Sequence, residues 1–285
     1  MSVSTVRRGV RRPGFSLSLV LPVGFVALVV AAAVIGPQLV GVDPLAQNLL
    51  SRNEGPSAAF PLGTDHLGRD VLARLIVGAR LSLWTGFLGL FAALLIGGVL
   101  GLIATMVRGP FELAFFGAVD LVRAMPGVLL ALLLVVALGA GIGPVALALG
   151  ITFAPFFAHV ARATYRREHG MTYVTAARTF GASERWILSF HILPNISGAF
   201  VTMAAIILPR CIVTESVLSF LGLGVEPDTP TWGRMIAQAA RFLERNPTAV
   251  LAPVLALSLF TLSLTLVGDR LRARFDPWRL VGSRS

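Results

Sequence analysis

The chain has 285 residues, with 24 basic against 14 acidic side chains and a formal net charge of +10. Hydrophobic residues make up 55% and charged residues 13%, where a soluble domain is roughly a quarter charged, and mean hydropathy is +0.81. A soluble fold of this size has too little interior to hide so much apolar surface; disorder, collagen and disulfide scaffolds (the single cysteine is Cys211) are excluded as well, and the composition places the chain in a bilayer.

A helix that crosses the hydrocarbon needs about 20 mostly apolar residues, and the apolar runs predict six spans. The first centres on residues 20–35, behind Arg7, Arg8, Arg11 and Arg12. It is longer than the roughly 7–15 residues of a secretory h-region, so it reads as an uncleaved span. The second fills 81–107, between Arg80 and Arg108. The uncharged run 124–161 is too long for one crossing, and Gly139-Ala-Gly-Ile-Gly-Pro144 breaks it with turn residues. That places span three at 114–138 and span four at 145–165. Span five is 196–221 and span six 246–268. With the N-terminus inside, the inner segments hold fifteen arginines and the outer segments seven. The positive-inside rule then gives N-in and C-in.

Three connections are too long to be turns. In the first, outside, Thr64 or Asp65 is a candidate helix cap. Val71, Leu72, Leu75, Ile76 and Ala79 then repeat at helical spacing, which predicts an amphipathic interfacial helix leading into span two. The second, inside, places Tyr173, Ala176, Ala177 and Phe180 on one helical face, with Gly181 where that helix stops or kinks. A second short helix carries Trp186, Ile187 and Phe190 and ends at Pro194. The pair makes an elbow exposing small residues, either an ordinary helix–turn–helix on the membrane face or a contact for another protein. The third, outside, sets Trp232, Met235, Ile236, Ala239 and Leu243 at helical spacing, an interfacial helix with a belt tryptophan.

All basic residues are arginine, which reads as a nucleotide-composition bias; no nucleic-acid partner is expected. A G-x-x-x-x-G-K-[ST] phosphate loop needs a lysine, so this chain holds no such ATP site. No H-E-x-x-H or G-x-S-x-G pattern occurs, and no catalytic set, metal or cofactor is expected. Intramembrane ionisable groups are the remaining candidates. Asp120 and Arg123 are three apart and suited to pair on one helical face. Arg210 and Glu215 are five apart, a poor spacing for a mutual pair, and are expected to face a subunit interface or the translocation path. His159 reads as a satisfied helix-end histidine. Pro155 and Pro209 are candidate kinks in spans four and five.

The elbow resembles the permease subunits of binding-protein-dependent ABC importers, whose hallmark is E-A-A, three residues, G, nine residues, then I-x-L-P. Thr175-Ala176-Ala177, Gly181 and His191-Ile192-Leu193-Pro194 keep that spacing, with Thr175 in place of the usual Glu and His191 in place of an aliphatic residue. Leu62-Gly-Thr-Asp-His-Leu-Gly-Arg-Asp-Val-Leu-Ala-Arg74, Leu218-Ser-Phe-Leu-Gly-Leu-Gly224, Pro230-Thr-Trp-Gly-Arg234 and Gly268-Asp-Arg-Leu-Arg-Ala-Arg-Phe-Asp-Pro277 are similar to the C-type permease of the dipeptide, oligopeptide and nickel branch.

The resemblance implies an all-α polytopic protein with six transmembrane helices in the cytoplasmic (inner) membrane of a bacterium or archaeon. It divides into an N-tail at 1–13, a first helix plus outer segment at 14–80, and a five-helix core at 81–285 with a cytoplasmic coupling loop at 166–195. Implied partners are a homologous B-type permease, two cytoplasmic ATPase subunits, an extracytoplasmic solute-binding protein and membrane lipid. Tyr173, Thr175, Ala176, Ala177, Gly181, Ala182 and Ser183 would meet the ATPase, and His191, Leu193, Pro194 and Asn195 would form the loop exit. Asp65, Arg69, Trp232 and Arg234 would serve an outer gate or a binding-protein contact. The implied cargo is a di- or oligopeptide, with nickel or another small solute as the same-family alternative. An ion-gradient-driven secondary transporter is the alternative of a different class; it would show inverted internal repeats and broken helices with midplane carboxylates, and no clear repeat is seen.

Overall fold

A computed structural model describes residues 17–39, 41, 43–225 and 229–275. The arginine-rich tails, including the expected N-tail, lie outside the described residues, as do residues 226–228. The described residues form the helices α1 Leu17–Leu39, α2 Val71–Val107, α3 Gly109–Ala124, α4 Gly127–Leu138, α5 Ile142–His169, α6 Thr172–Thr179, α7 Glu184–Phe220, α8 Trp232–Ala240 and α9 Pro247–Phe275. α1, α2, α5, α7 and α9 are each long and apolar enough to cross a membrane. α3 and α4, bent by 104° at Met125-Pro126, are together apolar enough for a sixth span. Inner and outer ends are named here from the arginine bias.

The centre of the bundle is set by small residues. α2 carries Gly89, Ala93, Gly97 and Gly101, and α5 carries Ala146, Gly150, Ala154 and Ala158, each series repeating every fourth residue. Such repeats bring helix backbones close where no hydrophobic force separates lipid from protein. A Cβ on Gly97 would run into the Ala154 carbonyl oxygen, and one on Gly101 would come within 3.0 Å of the Ala158 Cα. A π turn at Leu94–Val99 holds Gly97 at this contact and turns Gly98 toward Phe200 of α7. Around it Leu149, Phe153, Phe157, Ile207 and Cys211 complete the buried core. α1 lies outermost against α2 and α9, through Phe25, Val29 and Ala33.

Four expectations are corrected. First, the interfacial helix and span two are one helix, which runs unbroken across residue 80; its cap is Asp70, whose carboxylate accepts from the Leu72 amide at 2.8 Å, and neither Thr64 nor Asp65 caps it. Second, span three is not a single helix. Met125 precedes a proline and is held extended at ψ 144, so α3 ends there and α4 restarts after Pro126. Third, Pro194 does not end a helix. A π turn at Leu188–Ile192 lies just before it, and its looser ladder takes up the proline without a break. Fourth, Trp232 is not a belt tryptophan facing lipid: Trp232, Met235 and Ala239 are buried against α2, α7 and α9. α5 and α7 continue through Pro155 and Pro209.

Candidate translocation and coupling sites

The inner elbow is α6, the turn at 180–183 and the first turns of α7. Gly181 ends α6 at φ +85, a left-handed conformation that disfavours any side chain. Ser183 then accepts from the Trp186 amide at 3.3 Å and starts α7. Arg178 bridges the two arms with a forked pair to Glu184 at 2.6 and 3.1 Å. Val174, Ile187 and Ile192 bury the inner face of the elbow against Tyr165 and Ile196.

Tyr173 acts as a clasp. Its hydroxyl donates to Glu168 at 2.7 Å and accepts from the Asn195 amide at 3.0 Å, joining the end of α5 to α7. Burial, then the Glu168 hydrogen bond, raises the phenol above its ordinary value, so it stays a donor at neutral pH. His191 packs edge-on against Tyr173 and Trp186, at 5.6 and 4.8 Å between ring centroids. Ala177 and Ala182 turn toward the buried cluster. Thr175, Ala176, Gly181, Ser183, Leu193 and Pro194 remain exposed, as does Phe180, at 89%. No atom stands within 4 Å of a Cβ built on Gly181. The outward face is therefore narrower than the sequence pattern indicates, and Phe180 stands at its tip.

Above the elbow, the crook between α3 and α4 opens into a cavity of about 910 Å³ lined by α3, α4, α5, α7 and α9. Arg123 and Arg210 both line it, and the Arg210 guanidinium lies 5.6 Å from the centre of the Phe156 ring. The expected Asp120–Arg123 pair does not form. Asp120 Oδ1 instead lies 3.2 Å from His159 Nε2 on α5, because the turn of α3 that carries Arg123 faces the cavity. Glu215 also departs from expectation: it is fully buried within this chain. It accepts from Ser219 at 2.6 Å, with Ser216 and the α2 residue Ser82 as further partners. Ser82 Oγ in turn accepts from the Trp232 amide at 3.2 Å. Glu215 is thus a hub joining α2, α7 and α8, not a lining residue.

Sequence reasoning missed Glu112. This buried carboxylate accepts from Arg162 at 2.8 Å and from Arg166 at 2.6 Å, fastening α3 to α5. The two arginines stand four apart on one helical face, which was the available signal; their partner lies at least fifty residues away.

The outer motif folds into a buried clasp. Asp65 pairs with Arg69 at 2.7 Å and lies 3.6 Å from Arg74; both arginines also donate to Gln238 of α8, at 3.1 and 3.0 Å. Trp232 donates through Nε1 to the Leu75 carbonyl at 3.0 Å. Asp65, Arg69 and Trp232 are buried and present no surface to a binding protein, which corrects that part of the expectation. They are the framework of the outer end. Arg234 is half-buried and donates to the Val225 carbonyl at 3.3 Å.

His66 stacks on Phe242 at 5.0 Å, and burial pushes its pKa below the ordinary 6.5, assisted by Arg69, Arg74 and Arg52 against the opposing pull of Asp65. The unfolded chain binds this proton more readily, so the contribution of His66 is present above about pH 6.5 and falls as pH drops through the lower folded value. Thermal stability in detergent should therefore decline on acidification below about pH 6.5, and the His66→Gln variant should show a shallower slope.

A bent helix pair beside an open cavity, long apolar helices packed through small residues and a braced elbow define a polytopic helical membrane protein. The chain belongs to the family described as binding-protein-dependent transport system inner membrane component, which matches residues 93–281. It is 38% identical over 259 residues to the di/tripeptide transport system permease protein DppC of Pseudomonas aeruginosa, covering 89% of this chain and 86% of that one. It is 36% identical over 256 residues to the glutathione transport system permease protein GsiD of Pectobacterium atrosepticum, covering 89% and 84%. The fold matches a chain of the MetNI methionine ABC transporter in an inward facing conformation, with a TM-score of 0.58 and 19% identity over 71% of this chain and 96% of that one. The chain is therefore a membrane permease component of an ABC importer. Its family works with ATPase and substrate-binding partners in the inner membrane of bacteria, and nothing supports an archaeal setting.

Proposed function

We propose that this chain is one half of a heterodimeric permease, paired with a related B-type subunit, that passes di- or oligopeptides inward. Hydrolysis takes place on two separate ATPase subunits, and the elbow formed by α6 docks on one of them. The observation that carries this reading is the elbow itself: a short helix clamped to its own bundle by Tyr173 and by the Arg178–Glu184 pair, with Thr175, Ala176 and Phe180 turned outward. A lever of this kind transmits a push from below as a rigid-body movement of the spans. The peptide cargo is supported by the relatives, whose named substrates, di/tripeptides and glutathione, are all short peptides. Thr175 at the usual Glu position removes one polar docking contact and leaves the elbow intact.

The test is direct. Purified alone, the chain should hydrolyse no ATP. The complete importer in proteoliposomes should take up alanyl-alanine only with ATP and the binding protein. ATP turnover by the isolated chain, or uptake driven by an ion gradient without ATP, would refute the reading.

A further inference from the structure

We propose that Arg123 and Arg210, with the N-terminus of α4, form a carboxylate-binding station in the translocation cavity, so that the cargo is handled through a free carboxylate as it passes. The identity of the cargo rests on the peptide-permease reading above; the station rests on the cavity itself.

Three observations converge. First, the two guanidinium groups line one cavity, and none of its lining residues is acidic. Second, several arginines meet acids: Arg69 and Arg74 meet Asp65, Arg162 and Arg166 meet Glu112, and Arg178 meets Glu184; among the described residues Arg80 and Arg185, away from this cavity, make no such pair. Among the described residues, neither Arg123 nor Arg210 has an acid within ion-pair distance. Both side chains are exposed on the open wall of the cavity, free to meet an incoming group, and two like charges on one wall at membrane depth suit a partner of opposite sign that comes and goes. Third, the 104° bend at Met125-Pro126 delivers the start of α4 to the cavity, where Gly127 and Val128 are part of the lining. That helix has no side-chain cap, and its first-turn amides have no intrahelical acceptor. The positive end of a helix dipole thus adds to the two cations, as at the half-helix termini that meet carboxylates in other transporters.

The chemistry of the wall favours a carboxylate on an otherwise uncharged body. Arginine presents a planar fork that matches a carboxylate with two parallel hydrogen bonds. The rest of the wall is apolar or hydroxylic, with Phe153, Val213 and Thr214 typical of it. A peptide C-terminus supplies the carboxylate; the ammonium at the other end of the same peptide is a cation and must point away from the two arginines.

The site can be read without knowing the cargo. In a Cys211→Ala background, Val213→Cys places a thiol on the cavity wall, where Val213 is 42% exposed. Within the complete importer, an anionic ethylsulfonate methanethiosulfonate should modify this thiol at least about tenfold faster, relative to a free thiol, than the cationic trimethylammonium reagent, since a like-signed cleft raises local counter-ion concentration by that order. The combined Arg123→Gln and Arg210→Gln variant should bring the ratio near one, and Arg→Lys at both positions should retain it. Uptake of alanyl-alanine should fall at least about tenfold in the glutamine variant and recover with lysine. A ratio near one with both arginines present, a ratio unmoved by the glutamine variant, or unchanged uptake in that variant would overturn the proposal. If the reagent ratios are as expected while the unaltered importer takes up no alanyl-alanine, the station stands and the peptide reading fails.

Discussion

Replacing Gly97 with leucine should leave almost no folded protein in the membrane. Gly97 lies at the closest approach of α2 to α5, where even a Cβ would overlap the Ala154 carbonyl oxygen. The obstacle is backbone, so no rotamer change relieves it. Both helices would have to separate along the whole series from Gly89 to Gly101, opening the packed core at Ala93, Leu149 and Phe153. Overpacking a well-filled interior costs about 1–3 kcal/mol, and a backbone collision belongs at or above that upper figure. Against a total stability on the order of 5–15 kcal/mol, such a loss is decisive. Monodisperse yield and melting temperature in detergent measure it. Gly24→Leu on α1 is the control, because no atom lies within 4 Å of a Cβ built there. Equal behaviour of the two variants would remove the small-residue contact as the organising feature of the bundle.

Gly181→Trp should abolish ATP-driven uptake while leaving the protein in the membrane at its usual level. Two effects separate here. Any side chain at φ +85 carries a strain of about 1–2 kcal/mol, and that cost is common to alanine and tryptophan. Bulk is a different matter: the space around Gly181 is empty within this chain, so an indole harms nothing until a partner occupies it. On the coupling reading, Gly181→Ala should keep most of the uptake and Gly181→Trp should lose at least about tenfold, the equivalent of 1.4 kcal/mol of docking free energy. Co-purification of the ATPase subunits should fall in parallel. Equal uptake by the two variants would show that strain alone governs this position. Undiminished uptake with tryptophan would mean that no partner approaches the elbow there.

The features that sequence reveals are those with local causes. The crossings follow from apolar runs, the break at Gly139–Pro144 from turn residues, and the end of α6 from Gly181. The arginine bias gives sidedness because it is a count, independent of packing. Even the bend at Pro126 had a local signal, Met125-Pro126-Gly127 inside span three, although hydropathy alone passes over it. The elbow was legible in spacing; the identity of its outward residues was not, since Ala177 and Ala182 turn inward only because Val174, Ile187 and Ile192 anchor α6 against α5.

What the sequence by itself determined is therefore a polytopic helical membrane protein with an arginine bias, an elbow between two of its long helices and the motifs of its family. What only the tertiary structure decided is which partner each polar or aromatic side chain meets. Glu215 turns into a serine cage, Arg123 faces a cavity rather than Asp120, Asp65 and two arginines clasp α8, and Trp232 becomes core. The physical reason is that these partners lie far apart along the chain, 150 residues in the case of Trp232 and Ser82. Their meeting depends on the rotation of each helix about its own axis, and that rotation is fixed by how Gly97 and its neighbours let α2 and α5 close upon each other.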